Sequence, residues 1–458
     1  MRSVSPRQSR AALIAAALGF VVVLLDVSVV NVALDTLRLA FGTGVSGLQW
    51  VVNAYTLVFA AMLLTTGALG DRLGARRVFT MGFALFTAAS LACGLASSLE
   101  ALVIARIAQG LGAALLVPNS LSMLQQAFPD PEQRSRAVGW WGAAGGIALA
   151  AGPVLGGLLV THAGWRSIFL INLPIGLAGM YLTRRHAMPG SPVRRRPFDL
   201  PGQGAAILAL AAFTVALTEA GHLGWRHPLV RDGLLVALAA AMGFIVIESR
   251  SKAPMLPLSL FRIPAFAVAS ACGVIVNFAY YGLIFVFSLF FQVEQRLSPQ
   301  DTGLAFLPMT IVLMAVNVIA GRLINRLGPR RLMVFGLTVA ALGYVLLLPV
   351  SIEGAYARLV VPMLIAGSGI AVMVPTMTNA TLSSVDAAQA GIASGVLNSA
   401  RQVGGMLGVA VFGFLVRNTE PEAFMRGMHQ SILAAVVLLL AGSAMCVLGI
   451  RRDRRMVA

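Results

Sequence analysis

Three ionisable residues stand inside stretches that are otherwise apolar: Asp26, Arg106 and Arg401. Asp26 belongs to Leu25-Asp26-Val27-Ser28-Val29-Val30-Asn31, within the run from Ala11 to Ala33. An ionised side chain at the centre of a bilayer costs roughly 2.5–3.5 kcal/mol on insertion scales, and such residues mark ion pathways and proton relays. The chemistry open to Asp26 is to take up a proton or to pair with a cation. Arg106 is a candidate for that cation. Arg401 has Asn398 and Gln402 as neighbours and no acid at matching depth. It is expected either to donate to helix carbonyls or to face a central cavity.

The elements that position these groups follow from composition. The chain has 458 residues, 58% of them hydrophobic and 11% charged. A soluble protein carries about 25% charged residues, so this one is expected to live in lipid as an all-α polytopic membrane protein. Its formal net charge is +17, but the arginines lie in short loops between apolar runs. That pattern is the positive-inside rule at work, and nucleic acid is excluded as a partner. Cys93, Cys272 and Cys446 fall within apolar segments, so neither disulfides nor a metal site is expected. The N-terminal run is too long for a signal peptide and reads as an uncleaved first span.

Spans need roughly 17–25 mostly apolar residues, and fourteen such runs can be marked between Ala11 and Ile450. Arginines concentrate in alternate loops: Arg72, Arg76 and Arg77, then Arg134 and Arg136, then Arg184, Arg185, Arg194, Arg195 and Arg196, then Arg322, Arg326, Arg330 and Arg331. Lys252 and the terminal arginines follow the same side. Both termini are therefore predicted to be cytoplasmic, in a multi-pass protein of the cell (inner) membrane. With that topology Arg106 is about six residues, and Asp26 about eight, from the outer ends of their spans, which at ~1.5 Å per residue places them within one turn in depth. A pair is geometrically plausible.

An internal repeat is visible. Gly67-Ala68-Leu69-Gly70-Asp71-Arg72-Leu73-Gly74-Ala75-Arg76-Arg77 returns 254 residues later as Gly321-Arg322-Leu323-Ile324-Asn325-Arg326-Leu327-Gly328-Pro329-Arg330-Arg331. The run from Gly112 to Pro118 returns 257 residues later, from Gly369 to Pro375. Spans nine to fourteen thus repeat spans one to six. The expected organisation is an N-terminal six-helix bundle (1–186), a linker with two inserted helices (187–253) and a C-terminal six-helix bundle (254–458). Parallel six-span repeats with a site at their interface are a transporter architecture. By the same repeat Arg106 falls near Met363, so the second half lacks that charge. Asn53 and Tyr55 are candidates to line the cavity, and Glu219 and Glu248, near span ends, are expected to be solvated.

Three of these motifs carry a family likeness. They are the loop Gly67…Asp71-Arg72-Leu73-Gly74…Arg76-Arg77, the run Leu102…Arg106-Ile107-Ala108-Gln109-Gly110-Leu111-Gly112, and Gly152-Pro153-Val154-Leu155-Gly156-Gly157. With them the chain resembles the major facilitator superfamily, and within it the fourteen-span drug:proton antiporter group. The sequence departs from the family pattern at Ala75, where a basic residue is usual, at Asp35, where proline is usual, and at Ala148, where glycine is usual.

The resemblance implies a major facilitator fold and secondary active export of small amphipathic compounds by proton antiport. It implies proton coupling at Asp26 and Arg106, and a cytoplasmic gate built from Gly67, Asp71, Arg72, Gly74, Arg76, Asn325 and Arg326. It implies an antiporter motif at Gly152, Pro153, Gly156 and Gly157. The substrate cavity is expected to draw on Asn31, Asn53, Tyr55, Gln109, Asn398 and Arg401, with proton and substrate competing for Asp26. No phosphate-binding loop, zinc spacing or nucleophile elbow is present, so an enzyme is not expected, nor a cofactor. The proton gradient would supply the energy, and the partners would be protons, an amphipathic small molecule and the bilayer, with the protein a monomer. The alternatives are a dedicated exporter of one secreted metabolite or antibiotic, and a non-transporting lipid-handling membrane protein.

Overall fold

The computed structural model describes residues 6–186, 199–251, 254–351, 354, 356–386 and 389–450. The tails, the linker stretch 187–198 with Arg194, Arg195 and Arg196, Lys252, and the side chain of Asn325 lie outside the described residues. Every regular element described is helical. Lipid offers no hydrogen-bond partners, so a spanning segment must satisfy its own backbone, and the helix does so. The helices are α1 (Pro6–Val32), α2 (Leu34–Phe41), α3 (Val45–Leu73), α4 (Ala75–Gly94), α5 (Leu99–Ala127), α6 (Pro131–Ala163), α7 (Ser167–Leu170) and α8 (Asn172–His186). They continue as α9 (Leu200–Leu223), α10 (Pro228–Arg250), α11 (Pro264–Leu289), α12 (Pro299–Val345), α13 (Tyr356–Ser383), α14 (Ala390–Leu415) and α15 (Pro421–Gly449).

Among the described residues, twelve helical segments are long and apolar enough to cross a membrane. Helix α14 and the arm of α12 beyond Gly328 stand where the sequence predicts the other two of fourteen. Helix starts carry their own caps. Ser98 Oγ accepts from Ala101 N at 3.2 Å, and Asp130 Oδ2 accepts from Gln133 N at 2.8 Å with a proline next in line. Such caps satisfy backbone donors that the helix leaves unpaired.

Helices α1, α3, α4, α5, α6 and α8 pack on one another, and α11 to α15 form a second set. The two sets meet along α6 with α12 and along α3 with α14. The hairpin α9–α10 lies against α3 and α14. Gln203 on α9 donates to Ala61 O at 2.8 Å, and Trp50 Nε1 donates to Glu219 at 2.9 Å. Here the structure corrects the expectation that both acids of the hairpin are solvated. Glu248 is buried and accepts from Leu256 N at 3.1 Å, because the chain leaving α10 folds back over it.

The repeat extends to the packing. A Cβ on Gly112 would sit 2.7 Å from Phe86 N, and one on Gly369 would sit 2.2 Å from Ala340 N. Both partners and both glycines obey the sequence offsets. The loop glycines Gly74 (φ 90°) and Gly328 (φ 74°) share the left-handed backbone that breaks one helix and starts the next. Just beyond each, an arginine reaches the last turn of its set's final helix. Arg76 donates to Arg184 O on α8, and Arg330 donates to Val447 O on α15 at 2.6 Å. A guanidinium there satisfies a carbonyl the helix cannot and opposes the helix dipole. The face that holds these loops is the arginine-rich face.

Candidate functional site

The ionisable groups of the N-terminal set form one sealed cluster. Arg106 on α5 donates through Nη1 to Asp26 Oδ2 on α1 at 2.5 Å, and the two side chains are 1% and 0% exposed. The same nitrogen donates to Gln109 Oε1 at 2.7 Å, and Arg106 Nε donates to Val51 O on α3 at 3.0 Å. Gln109 Nε2 donates to Asp26 Oδ1 at 2.7 Å, and Asn172 Nδ2, at the start of α8, donates to the same oxygen at 3.0 Å. Both amides also reach Ser90 Oγ on α4, at 2.9 and 3.3 Å. Five helices therefore converge on one carboxylate, which accepts three donors. Charge-assisted bonds of this kind are stronger than neutral ones, and their strength grows as water is excluded.

Local sequence explains the convergence. Arg106 and Gln109 are three apart on α5 and so share a face. Gly110, next along, lets α5 approach α3 so closely that a Cβ there would sit 2.4 Å from Tyr55 O. The Tyr55 ring then covers the guanidinium, 4.2 Å from its centroid, with Phe169 on another side at 5.9 Å. A guanidinium over an aromatic face gains cation–π attraction, more so when desolvated.

Two prolines link this cluster to the helix packing. Pro153 has no N–H, so the Leu149 carbonyl on α6 loses its helical donor. Ser28 Oγ on α1 donates to it instead, at 2.9 Å. Pro118 frees Ala114 O in the same way, and Thr66 Oγ1 on α3 takes it at 2.6 Å. The glycines around Pro153 fit the same seam. A Cβ on Gly152 would sit 2.2 Å from Ser28 Oγ, and one on Gly156 3.1 Å from Val29 Cα. Gly157 faces the other way: a Cβ there would sit 2.5 Å from Pro299 O of α12. Gly303 of α12 returns the contact: a Cβ there would sit 2.2 Å from Pro153 O. Helix α6 is thus clamped between α1 and the second helix set.

These inter-set contacts lie at the face opposite the arginines. Gln49 near the start of α3 donates to Val409 O and Ala410 O near the end of α14, at 3.1 and 2.8 Å. Asp35 N donates to Gln292 Oε1 at 3.2 Å. Between α1, α6, α11 and α12 a cavity is lined by Ser28, Asn31, Pro153, Tyr280, Tyr281 and Phe306, among others.

The residues singled out from the sequence fall in several places. Asn31 lines the cavity and donates to Val27 O at 2.9 Å. Tyr55 covers Arg106 instead of facing open space. Gln109 is bound into the Asp26 cluster and is fully buried, so it is no part of the cavity wall. Asn53 is fully buried, with neither amide atom partnered among the described residues. Asn398 donates to Ser394 O on its own helix at 3.0 Å. Asp71 and Arg326 are exposed on the arginine-rich face, and Gly67 lies in contact with Pro118.

The cluster seals Asp26 from the cavity in this state, so a compound there does not touch it. That departs from the expectation of direct competition. Asn172 and Ser90 were not foreseen. An asparagine at the start of a span reads as a cap, and its reach to Asp26 depends on how α8 packs against α1 and α4.

Among the described residues the C-terminal set has no such cluster. Tyr344, which the repeat matches to Ser90, donates its hydroxyl to Ala279 O on α11 at 2.6 Å. At the repeat positions of Arg106 and Gln109 stand Met363 and Ala366, both buried.

Residues 16–409 match the family model described as Major Facilitator Superfamily. A methylenomycin A resistance protein of Streptomyces coelicolor is 37% identical over 442 residues, 96% of this chain and 92% of that protein. The multidrug resistance protein Stp of Mycobacterium tuberculosis is 37% identical over 434 residues, 93% of this chain and 81% of that protein. The fold resembles a solved bacterial homologue of the human lysosomal transporter Spinster, described as inward-facing and unoccupied. Its TM-score is 0.70 at 18% identity, covering 97% of each chain.

Proposed function

The chain belongs to the Major Facilitator Superfamily, and on that premise we propose that it exports small amphipathic compounds in exchange for protons. Residues 1–186 and 254–458 are the two moving halves, joined by the linker and hairpin of 187–253. The positive-inside rule supports a cytoplasmic arginine-rich face, with both termini on that side and the protein in the cell membrane. The state described is then closed to the outside, with the halves meeting along Gly157, Gly303 and Gln49.

The observation that carries this reading is the buried Asp26–Arg106 pair. A scaffold gains little from such a pair, because desolvation offsets the attraction. A proton-coupled carrier needs one group that can exist in two charge states in a place that conformational change can expose. Protonating Asp26 removes the counter-charge of Arg106 and loosens α1 from α5. Ser28, Gly152 and Gly156 pass that movement to α6, and Gly157 with Gly303 passes it to α12. Coupling is then indirect: proton and cargo share a helix seam and not an atom. The gate loops with Asp71, Arg72 and Arg326 close the cytoplasmic face in the opposite state. The gradient supplies the energy, and one chain suffices.

The names of the Streptomyces and Mycobacterium relatives, given for resistance to one antibiotic and to several drugs, support the direction and the class of cargo. The first also favours a second reading, a dedicated exporter of one antibiotic. A drug-susceptibility panel in an efflux-deficient host separates the two: protection against many unrelated compounds rejects the dedicated carrier. The central test compares wild-type protein with Asp26→Asn in that host and in proteoliposomes. Well-inserted Asp26→Asn protein that still exports against a gradient in a proton-dependent way sinks the proposal.

A further inference from the structure

Arg401 sits near the middle of α14, inside the membrane span. It makes no ion pair or hydrogen bond among the described residues, and its Nε is buried without an acceptor. An arginine in that position is costly unless something neutralises it. It lies against Gly273, where a Cβ would be 3.4 Å from Arg401 Cγ, and within electrostatic reach of Tyr281. Gly273, Asn277 and Tyr281 are four apart along α11 and share one face. Tyr281 packs on Gly405, one turn beyond Arg401, and lines the cavity between α1, α6, α11 and α12, whose lining residues do not include Arg401 or Asn277.

We propose that Arg401, with Tyr281 of the cavity wall and Asn277 on the same face of α11, is an anion-binding subsite reached past Tyr281, so that the cargo includes amphipathic weak acids bearing a carboxylate or sulfonate. This rests on the exporter reading and names its substrate class. The residues that line the cavity are uncharged. Asp26, the acid closest to it along α1, is sealed and neutralised by Arg106. A cationic cargo finds no counter-ion there, while an anionic one that reaches past Tyr281 would meet a guanidinium with donors to spare. Arg offers a planar fork that matches a carboxylate or sulfonate, and Tyr281 brings a hydroxyl to the cavity wall. The apolar remainder of the cargo would rest on Ile284 and Phe306. Arg401 is also not spoken for by the repeat. The position matching Arg106 is Met363 on α13, so Arg401 is no relic of a second proton site.

The test uses the full chain in proteoliposomes under an imposed proton gradient, with two probes of like skeleton. One is 1-anilinonaphthalene-8-sulfonate, an anion; the other is N-phenyl-1-naphthylamine, which is neutral. The expected result is that Arg401→Gln raises the half-saturation concentration for the anion at least tenfold more than for the neutral probe. Arg401→Lys falls between, because it keeps the charge and loses the fork. Equal shifts for both probes, or no shift, overturn the subsite. If Arg401→Gln does not insert, Arg401→Lys and Tyr281→Phe decide the matter by the same ratio, and a ratio of one in both overturns it. Wild-type protein that moves the neutral probe alone overturns the anion subsite and leaves the exporter standing. Wild-type protein that moves neither probe counts against both.

Discussion

The Ser28 hydroxyl donates to the Leu149 carbonyl across the α1–α6 seam at 2.9 Å. Leu149 is free to accept because Pro153 removes its helical donor, and Ser28 is two residues from Asp26. Asp26 and the glycine–proline motif therefore share one seam. Ser28→Ala leaves a buried carbonyl unpartnered, which costs about 1–3 kcal/mol. A lower melting temperature in detergent is expected. Gly152→Ala should be worse, since its Cβ would meet Ser28 Oγ at 2.2 Å. An unchanged melting temperature in both variants would remove the seam from the mechanism.

Asp26 and Arg106 should behave as a unit. Removing one partner of a buried pair typically costs about 3–5 kcal/mol, because the other charge is left alone. Asp26→Asn and Arg106→Gln are each expected to abolish proton-dependent exchange. The double variant is equally inactive but melts above Asp26→Asn. Additive losses of stability in the double variant would mean that the two charges are not each other's main partner.

Asn172 donates to Asp26 and is not among the residues that line the cavity. Asn172→Ala removes one of three donors to the carboxylate, so turnover should fall several-fold with little change in half-saturation for cargo. Asn172→Asp puts a second acid beside Asp26, where like charges at short range repel strongly, and exchange should stop. A rise in half-saturation with turnover intact would place Asn172 in the cargo site instead.

The depth match between Asp26 and Arg106 was legible because helical rise is constant and apolar runs show where spans end. The repeat was legible because its loop glycines must adopt a left-handed backbone, so Gly74 and Gly328 stand out. Gln109 was assigned to the cavity although its three-residue spacing from Arg106 already pointed to a common face. Asn172 and Ser90 could not be read, since their roles arise where α4 and α8 cross α1. The burial of Glu248 depends on how the chain folds back over α10 after Arg250, which local composition does not encode.

The α6–α12 contact should govern which face is open. Gly157→Val places a side chain where Pro299 O lies 2.5 Å from even a Cβ. The outer seam is expected to part, and spin labels on the outer ends of α6 and α12 should report a longer distance. Gly303→Val should do the same from the other side. Distances unchanged in both variants would mean that the seam is not the outer closure.

The pairing of Asp26 with Arg106 also has an electrical consequence. The pair as it stands carries no net charge, so voltage exerts almost no pull on it. One added proton turns it into a single positive charge held in the outer half of the span. A potential of 100 mV contributes about 2.3 kcal/mol for each elementary charge carried fully across. Under the proposed coupling, voltage therefore acts on this pair only in its protonated form, and draws it toward a negative interior.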